Sequence, residues 1–295
     1  MTTVLIKGLG LIGSSIARAI RKEYPTVKII AEDKNQDSLN FALRNHIIDQ
    51  AGHNWSTVGR ADFIILASPV SQIIADLHAL SQLKLKAGVV VTDVGSTKQA
   101  VMNASQELQV KGVTFIGGHP MAGSHLTGAR AGRSDLFSGA YYFLVGDSQS
   151  EAVSHLEHLL AGLHVKWLSL TAEEHDLIVA QISHVPHVIA AALVNQTQAA
   201  LTGLPGGMDL AAGGFKSVTR IAASDPTMWQ AIMLSNQENI SQQLGDYIDH
   251  LTRVKKDIDD GDGQALLKFF SSAQAARQSL NRRDRHEVNS HRIHG

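Results

Sequence analysis

His119 stands in Gly117-Gly118-His119-Pro120-Met121-Ala122-Gly123-Ser124, an imidazole between glycines and a proline, after the apolar run Thr114-Phe115-Ile116. An imidazole exchanges a proton near neutrality, so a ring presented to a ligand after a strand has the makings of a general base. A second signal opens the chain: Gly8-Leu9-Gly10-Leu11-Ile12-Gly13, preceded by Val4-Leu5-Ile6 and followed by helical spacing over residues 14–20. Glycines there allow a tight turn and bring backbone N–H groups close to a pyrophosphate at a helix N-terminus. The next apolar run, Val27-Lys28-Ile29-Ile30-Ala31, ends at Glu32-Asp33, with Asp33 twenty positions after Gly13. That carboxylate is placed to accept ribose hydroxyls, and it repels a 2′-phosphate, which favours NAD over NADP; Lys34 weighs the other way. Gly8, Gly10, Leu11, Ile12, Gly13 and Asp33 therefore read as a dinucleotide site, against a glycine turn that only packs a helix on a sheet.

Other polar residues fall where strands end. Ser68-Pro69 follows the run at 63–67, and Asp93-Val94-Gly95-Ser96-Thr97-Lys98 follows the run at 89–92. Ser68 reads either as a helix N-cap or as a cofactor contact; Ser96 reads either as a cap or as a contact to nicotinamide or substrate. Ser183-His184-Val185-Pro186-His187 lies in a helical stretch that the proline is expected to kink or divide, with one histidine buried and hydrogen-bonded and the other facing a ligand. Arg220, in a mostly apolar segment, needs an anion: an internal carboxylate or a substrate carboxylate. Neither the histidine spacings nor Asp257-Ile258-Asp259-Asp260-Gly261-Asp262-Gly263 meets a metal-site pattern, so no metal is expected, and the latter reads as a turn.

These groups need a scaffold. A chain of 295 residues exceeds a typical single domain. Up to residue 169, apolar strand runs alternate with helical spacing, which predicts an α/β doubly wound sheet of the Rossmann type with its ligands outside the strand C-termini. Residues 170–280 read as helix alone, beginning with the capping box Thr171/Glu174. Ile240, Leu244, Tyr247, Leu251, Val254 and Ile258 form a seam suited to internal core or to a second copy of the chain. The polar stretch 281–295 is expected to be a flexible tail. A net charge of -1 carries no basic excess for nucleic acid, and the absence of cysteine excludes disulfides and thiolate catalysis. No stretch reads as long enough to span a bilayer and no signal peptide is seen, so a soluble cytoplasmic protein is expected.

Taken in order, Gly8-x-Gly10-x-x-Gly13, Asp93-x-Gly95-Ser96-x-Lys98, Gly118-His119-Pro120-Met121-Ala122-Gly123, Ser183-His184-x-Pro186-His187 and Thr219-Arg220-Ile221-Ala222-x-Ser224-Asp225-Pro226-x-Met228-Trp229 resemble the prephenate dehydrogenases of tyrosine biosynthesis. The resemblance implies NAD-dependent oxidative decarboxylation of prephenate to 4-hydroxyphenylpyruvate by a homodimer. His119 would accept the C4 hydroxyl proton, Ser96 would hold that hydroxyl and help place the nicotinamide, and Arg220 and His187 would anchor carboxylates with Trp229 nearby. His125 stands where some relatives carry glutamate, either touching substrate or facing solvent. The reading expects neither a C-terminal ACT domain nor an N-terminal chorismate mutase segment. Arogenate is the rival substrate. A lysine-dependent reductase of similar architecture is disfavoured by His119, and a non-catalytic NAD sensor would have no use for His119, Ser96 and Arg220 together.

Overall fold

The computed structural model describes residues 1–123, 126–147 and 149–292, with side chains as far as Leu280. Eight strands form one sheet: β1 (Thr3–Lys7), β2 (Lys28–Glu32), β3 (Gln50–Ala51), β4 (Phe63–Leu66), β5 (Val90–Asp93), β6 (Thr114–Pro120), β7 (Tyr141–Val145) and β8 (Lys166–Ser169), in the spatial order β3-β2-β1-β4-β5-β6-β7-β8. All pairings are parallel except β6 with β7. The order reverses between β1 and β4, which opens a crevice at their C-terminal ends.

Strand period explains the two cores. Val4 and Ile6 of β1 face one side with Ile29 and Ala31 of β2, under α1 (Leu11–Glu23), α2 (Gln36–Arg44) and α5 (Glu151–Leu159). Leu5 and Ile30 face the other side, under α3 (Val70–Ser81) and α4 (Gln99–Val110). Burial on both faces is why these strands read as continuous apolar runs rather than alternating ones. The short β3 has no such run and leaves no signal in the sequence.

The helices that follow are α6 (Ala172–Val179), α7 (Val185–Ala200), α8 (Gly213–Thr219), α9 (Pro226–Ser235), α10 (Gln237–Asp259) and α11 (Gly263–Arg292). The capping box forms: Thr171 Oγ1 accepts from the Glu174 N–H at 3.1 Å, and Glu174 accepts from the Thr171 N–H at 2.8 Å. Pro186, expected to kink or divide the helix, stands just after an interruption of the α-helical run. It lies in the first turn of α7, where a missing N–H costs little, and a single π turn, Ala180–His184, joins α6 to α7. The resulting run, Ala172–Ala200, has a mean hydropathy of 1.8 over its most apolar window, so by length and composition one helix can cross a membrane, contrary to the sequence reading.

Residues 1–240 pack as one compact unit and residues 241–295 as another. The change to all-helical structure comes after residue 170, but α6 to α9 pack with the sheet: the Asp176 carboxylate accepts the Lys98 and Gln99 N–H groups, and Thr97 Oγ1 donates to Ser235 at 3.0 Å. In the second unit, α10 and α11 are joined by a turn at Gly261, and His250 lies against Phe269 with ring centroids 5.6 Å apart. The backbone of α11 continues through Arg292, where composition alone predicts a flexible tail; no glycine or proline interrupts residues 264–292.

Candidate active site

The β1–α1 turn is built for an anion. Gly8 has a φ of +95°, and a Cβ there would sit 2.6 Å from the Ala67 carbonyl oxygen at the end of β4, so only glycine fits. Gly10 differs, because a Cβ there would meet nothing within 4 Å. That open cradle lies at the N-terminus of α1, whose first turn has no side-chain cap and no acidic residue, with Leu11 and Ile12 opening the helix. Asp33 closes the far side, accepting the Leu9 N–H at 2.5 Å and the Asn35 N–H at 2.7 Å. An uncapped helix N-terminus, an open cradle and a fixed carboxylate together fit a dinucleotide's pyrophosphate and ribose. Ser68 lies beside the turn and donates to the Lys7 carbonyl at 3.4 Å; it does not cap α3, whose N-cap is Pro69.

His119 belongs to β6 itself rather than to a loop after it, because antiparallel β7 extends the ladder and places Phe143 directly opposite. Its neighbour Gly118 donates to Asp93 Oδ1 at 3.1 Å, and a Cβ on Gly118 would lie 2.7 Å from the Tyr142 hydroxyl. Asp93 also accepts the Gly95 N–H at 2.7 Å and pairs with the fully buried Lys98. One carboxylate therefore fixes both the β5–α4 turn that carries half-buried Ser96 and the strand that carries His119. Ser96 is not a helix cap, since α4 starts from Lys98 with no cap of its own.

The helical segment supplies the rest. His119 Nδ1 lies 2.9 Å from His175 Nε2, and His175 Nδ1 lies 2.8 Å from Asp176 Oδ1. Asn236 donates to the Asp176 carbonyl at 2.8 Å and contacts His184 Nδ1 at 3.2 Å. Burial first, and then repulsion from His175, Lys98 and His184 in their protonated forms, holds His119 well below the ordinary histidine range. Burial likewise lowers His175, against the pull of Asp176, and takes His184 to about 4. These rings are neutral bases at neutral pH. His184 is buried and His187 half-buried. His187 stacks on Trp229 with centroids 3.6 Å apart and bonds the Ser183 carbonyl at 2.9 Å. The Trp229 indole nitrogen is buried and has no partner among the described residues. Burial first and then nearby Arg220 lower His187. Arg220 is exposed, in a single turn after α8, and among the described residues it forms no ion pair, so the internal carboxylate that the sequence allowed is not there. His125 lies outside the described residues.

Sequence reasoning missed His175, Asp176 and Asn236. A signal existed: His175 and Asp176 share the buried face of α6 with Val179, where polar residues need a purpose.

A model of the prephenate dehydrogenase nucleotide-binding domain matches residues 16–168, and one of the prephenate dehydrogenase dimerization domain matches residues 171–272. The chain belongs to the prephenate dehydrogenase family. It is 41% identical to a prephenate dehydrogenase of Lactococcus lactis subsp. cremoris over 95% of this chain and 78% of that one. A crystal structure of prephenate dehydrogenase from Aquifex aeolicus with hydroxyphenyl propionate and NAD+ is similar at a TM-score of 0.86, with 29% identity, 95% of this chain and 98% of that one covered. Synechocystis arogenate dehydrogenase has a TM-score of 0.80 at 29% identity, over 95% of this chain and all of that one (100%). The match to a nucleotide-binding domain and the NAD+ in the similar Aquifex structure support NAD as the cofactor.

Proposed function

We propose that the chain oxidises and decarboxylates prephenate to 4-hydroxyphenylpyruvate, with His119 taking the proton of the C4 hydroxyl. The observation that carries this reading is the neutral, half-buried His119 ring on a strand that Asp93 ties to the turn carrying Ser96, on the sheet that also carries the nucleotide cradle. NAD, when bound, supplies the hydride acceptor, held by Gly8, Gly10, Leu11, Ile12, Gly13, Asp33, Ser68 and Ser96. Ser96 holds the hydroxyl while His119 Nε2 or Nδ1 accepts its proton. Arg220 and His187 hold the substrate's carboxylates against Trp229, the guanidinium being in no ion pair among the described residues. Oxidation at C4 leaves a carbonyl conjugated through the ring; the C–C bond to the ring carboxylate breaks, its electron pair enters the ring, carbon dioxide leaves and aromaticity is restored.

Arogenate is the second reading, because the similar Synechocystis structure is an arogenate dehydrogenase. It carries an amino group where prephenate has a keto oxygen. Exposed apolar residues on α10 and α11, in a region matching a dimerization-domain model, support a homodimer. His175, Asp176 and His184, buried within the sheet-bearing unit, support a place for the Ala172–Ala200 run within a soluble cytoplasmic enzyme rather than a bilayer. The deciding experiment follows NADH absorbance with prephenate and NAD, with arogenate and NADP in parallel. Turnover of prephenate is expected. Turnover of arogenate alone changes the substrate, and NADH binding without any turnover leaves a sensor.

A further inference from the structure

We propose that His175 and Asp176 are positioning residues that fix His119 as the Nδ1–H tautomer and so make Nε2 its proton-accepting atom. The inference rests on the reading of His119 as the base and adds which atom acts and what selects it.

The argument runs outward from the carboxylate. Asp176 accepts the Lys98 N–H at 2.7 Å and the Gln99 N–H at 2.9 Å, so its place is set by the start of α4. A carboxylate oxygen only accepts, so the 2.8 Å contact is a bond donated by His175 Nδ1–H. A neutral imidazole has one N–H, so His175 Nε2 carries a lone pair. The 2.9 Å contact to His119 is then donated by His119 Nδ1–H, and the lone pair of His119 is on Nε2. His175 is fully buried, beside Lys98 as well as Asp176 and Asp93, and burial keeps its ring neutral. His119 is faced by Lys98 at the start of α4, by His184 of the π turn and by Phe143 of β7, and none of these accepts its Nδ1–H. When Nε2 takes the hydroxyl proton, the O–H bond breaks, the new N–H forms, and the positive ring donates Nδ1–H to His175, which passes polarisation on to Asp176.

The test is long-range proton–nitrogen NMR of the full chain labelled with ¹⁵N-histidine, with the His119 signals assigned by their loss in His119→Asn. The wild type is expected to show protonated Nδ1 and bare Nε2 at His119. In Asp176→Asn the amide can donate to His175 and reverse both rings; His119 should become Nε2–H, with kcat down roughly 10²-fold or more and NAD affinity unchanged. His175→Gln, whose carbonyl still accepts the Nδ1–H, should keep the tautomer and more of the rate than His175→Leu, which cannot. That pair decides the matter if Asp176→Asn does not fold. An Nε2–H ring in the wild type, or an Asp176→Asn enzyme with unchanged kcat, overturns the proposal. An Nδ1–H ring in a protein that turns over neither prephenate nor arogenate upholds the tautomer lock and overturns the substrate reading instead.

Discussion

On β1, Val4, Leu5 and Ile6 expose no surface, whereas on α10 and α11 Ile258 leaves 60% and Phe270 65% of theirs to solvent. Both regions were written with the apolar pattern their element needs, a continuous run for a strand buried on both faces and a repeat of about three and a half for the helix. The difference is the partner. The sheet finds its cover within the chain, on both faces, from helices close in sequence. Ile258 of α10 and Phe270 of α11 are exposed apolar residues of the kind that the proposed homodimer would cover. On the proposed reading the first unit divides its chemistry too: the sheet contributes His119, Ser96 and the nucleotide turn, and α6 to α9 with their connections contribute His175, Asp176, His187, Trp229 and Arg220. If this division is right, a change at His119 or at the pair that positions it should stop chemistry, and changes at Arg220, at His184 or on the α10–α11 seam should alter binding, acid stability or assembly.

The largest expected effect is on the sheet side. His119→Asn should lower kcat by about 10²–10⁴-fold and leave NAD affinity nearly intact, since only the proton acceptor is lost. Steady-state rates with prephenate alongside NAD titration check both halves, and an unchanged kcat breaks the assignment.

Next comes the histidine cluster where α6 and α7 meet the sheet. An unfolded histidine titrates near 6.5, and folded His184 near 4. Between those values the unfolded chain binds more protons, so stability rises with pH: it is fully present above about 6.5 and is lost as pH falls toward 4, by about 3 kcal/mol for this group. His119 and His175, lowered for the same reason, add with the same sign. Thermal melts across that window should show a falling Tm, with a shallower slope in His184→Gln. Identical slopes would remove His184 from the account.

Assembly tests the helical side. Leu251→Asp puts a charge on the exposed seam, and a two-fold interface carries each substitution twice. At about 1.5–3 kcal/mol per buried leucine, the dimer should weaken by roughly tenfold or more, read by sedimentation equilibrium. A monomeric wild type would return the seam to an unpartnered surface.

How much of this was legible before the structure depends on sequence distance. The sheet, its doubly wound order and the Gly8–Gly13 turn follow from local period and from glycines in one short stretch. His119 and Arg220 stood out because a lone titratable or charged group sits among glycines or apolar residues. His175 and Asp176 did not, because they look like the ordinary polar side of a capped helix, and only folding brings them to a histidine 56 positions earlier in the chain. Asp93 was quoted in a motif, but its grip on Gly118 depends on strand pairing between β5 and β6, which no local pattern encodes. The π turn escaped for a related reason: proline forbids an interior position, but it is at home in a first turn, and the sequence does not say where the turn is counted from.

Arg220→Ala comes next in size. A guanidinium in no ion pair among the described residues loses chiefly what it gives to an anionic ligand, so KM for substrate should rise about tenfold or more with kcat little changed. An equal fall in kcat would move Arg220 from binding to chemistry, and so blur the division between sheet and helices.

The smallest effect, and the sharpest test of the sheet's own ligand, is at Asp33. Its two oxygens are already held by the Leu9 and Asn35 N–H groups, so the carboxylate is fixed before any ribose arrives. Asp33→Ala removes the charge and both bonds, and should weaken NAD by roughly tenfold, the value of one or two hydrogen bonds to a charged acceptor. It should also narrow the gap to NADP, because the repulsion of a 2′-phosphate goes with the charge. Asp33→Asn separates the two: it keeps an acceptor for Leu9 but not the charge, so it should hold NAD better than the alanine variant and still admit NADP. Fluorescence titration of both cofactors with both variants distinguishes the cases. If the asparagine variant discriminates as the wild type does, selection comes from the shape of the turn around Gly8 and Leu9, and the negative charge is there to hold that turn closed.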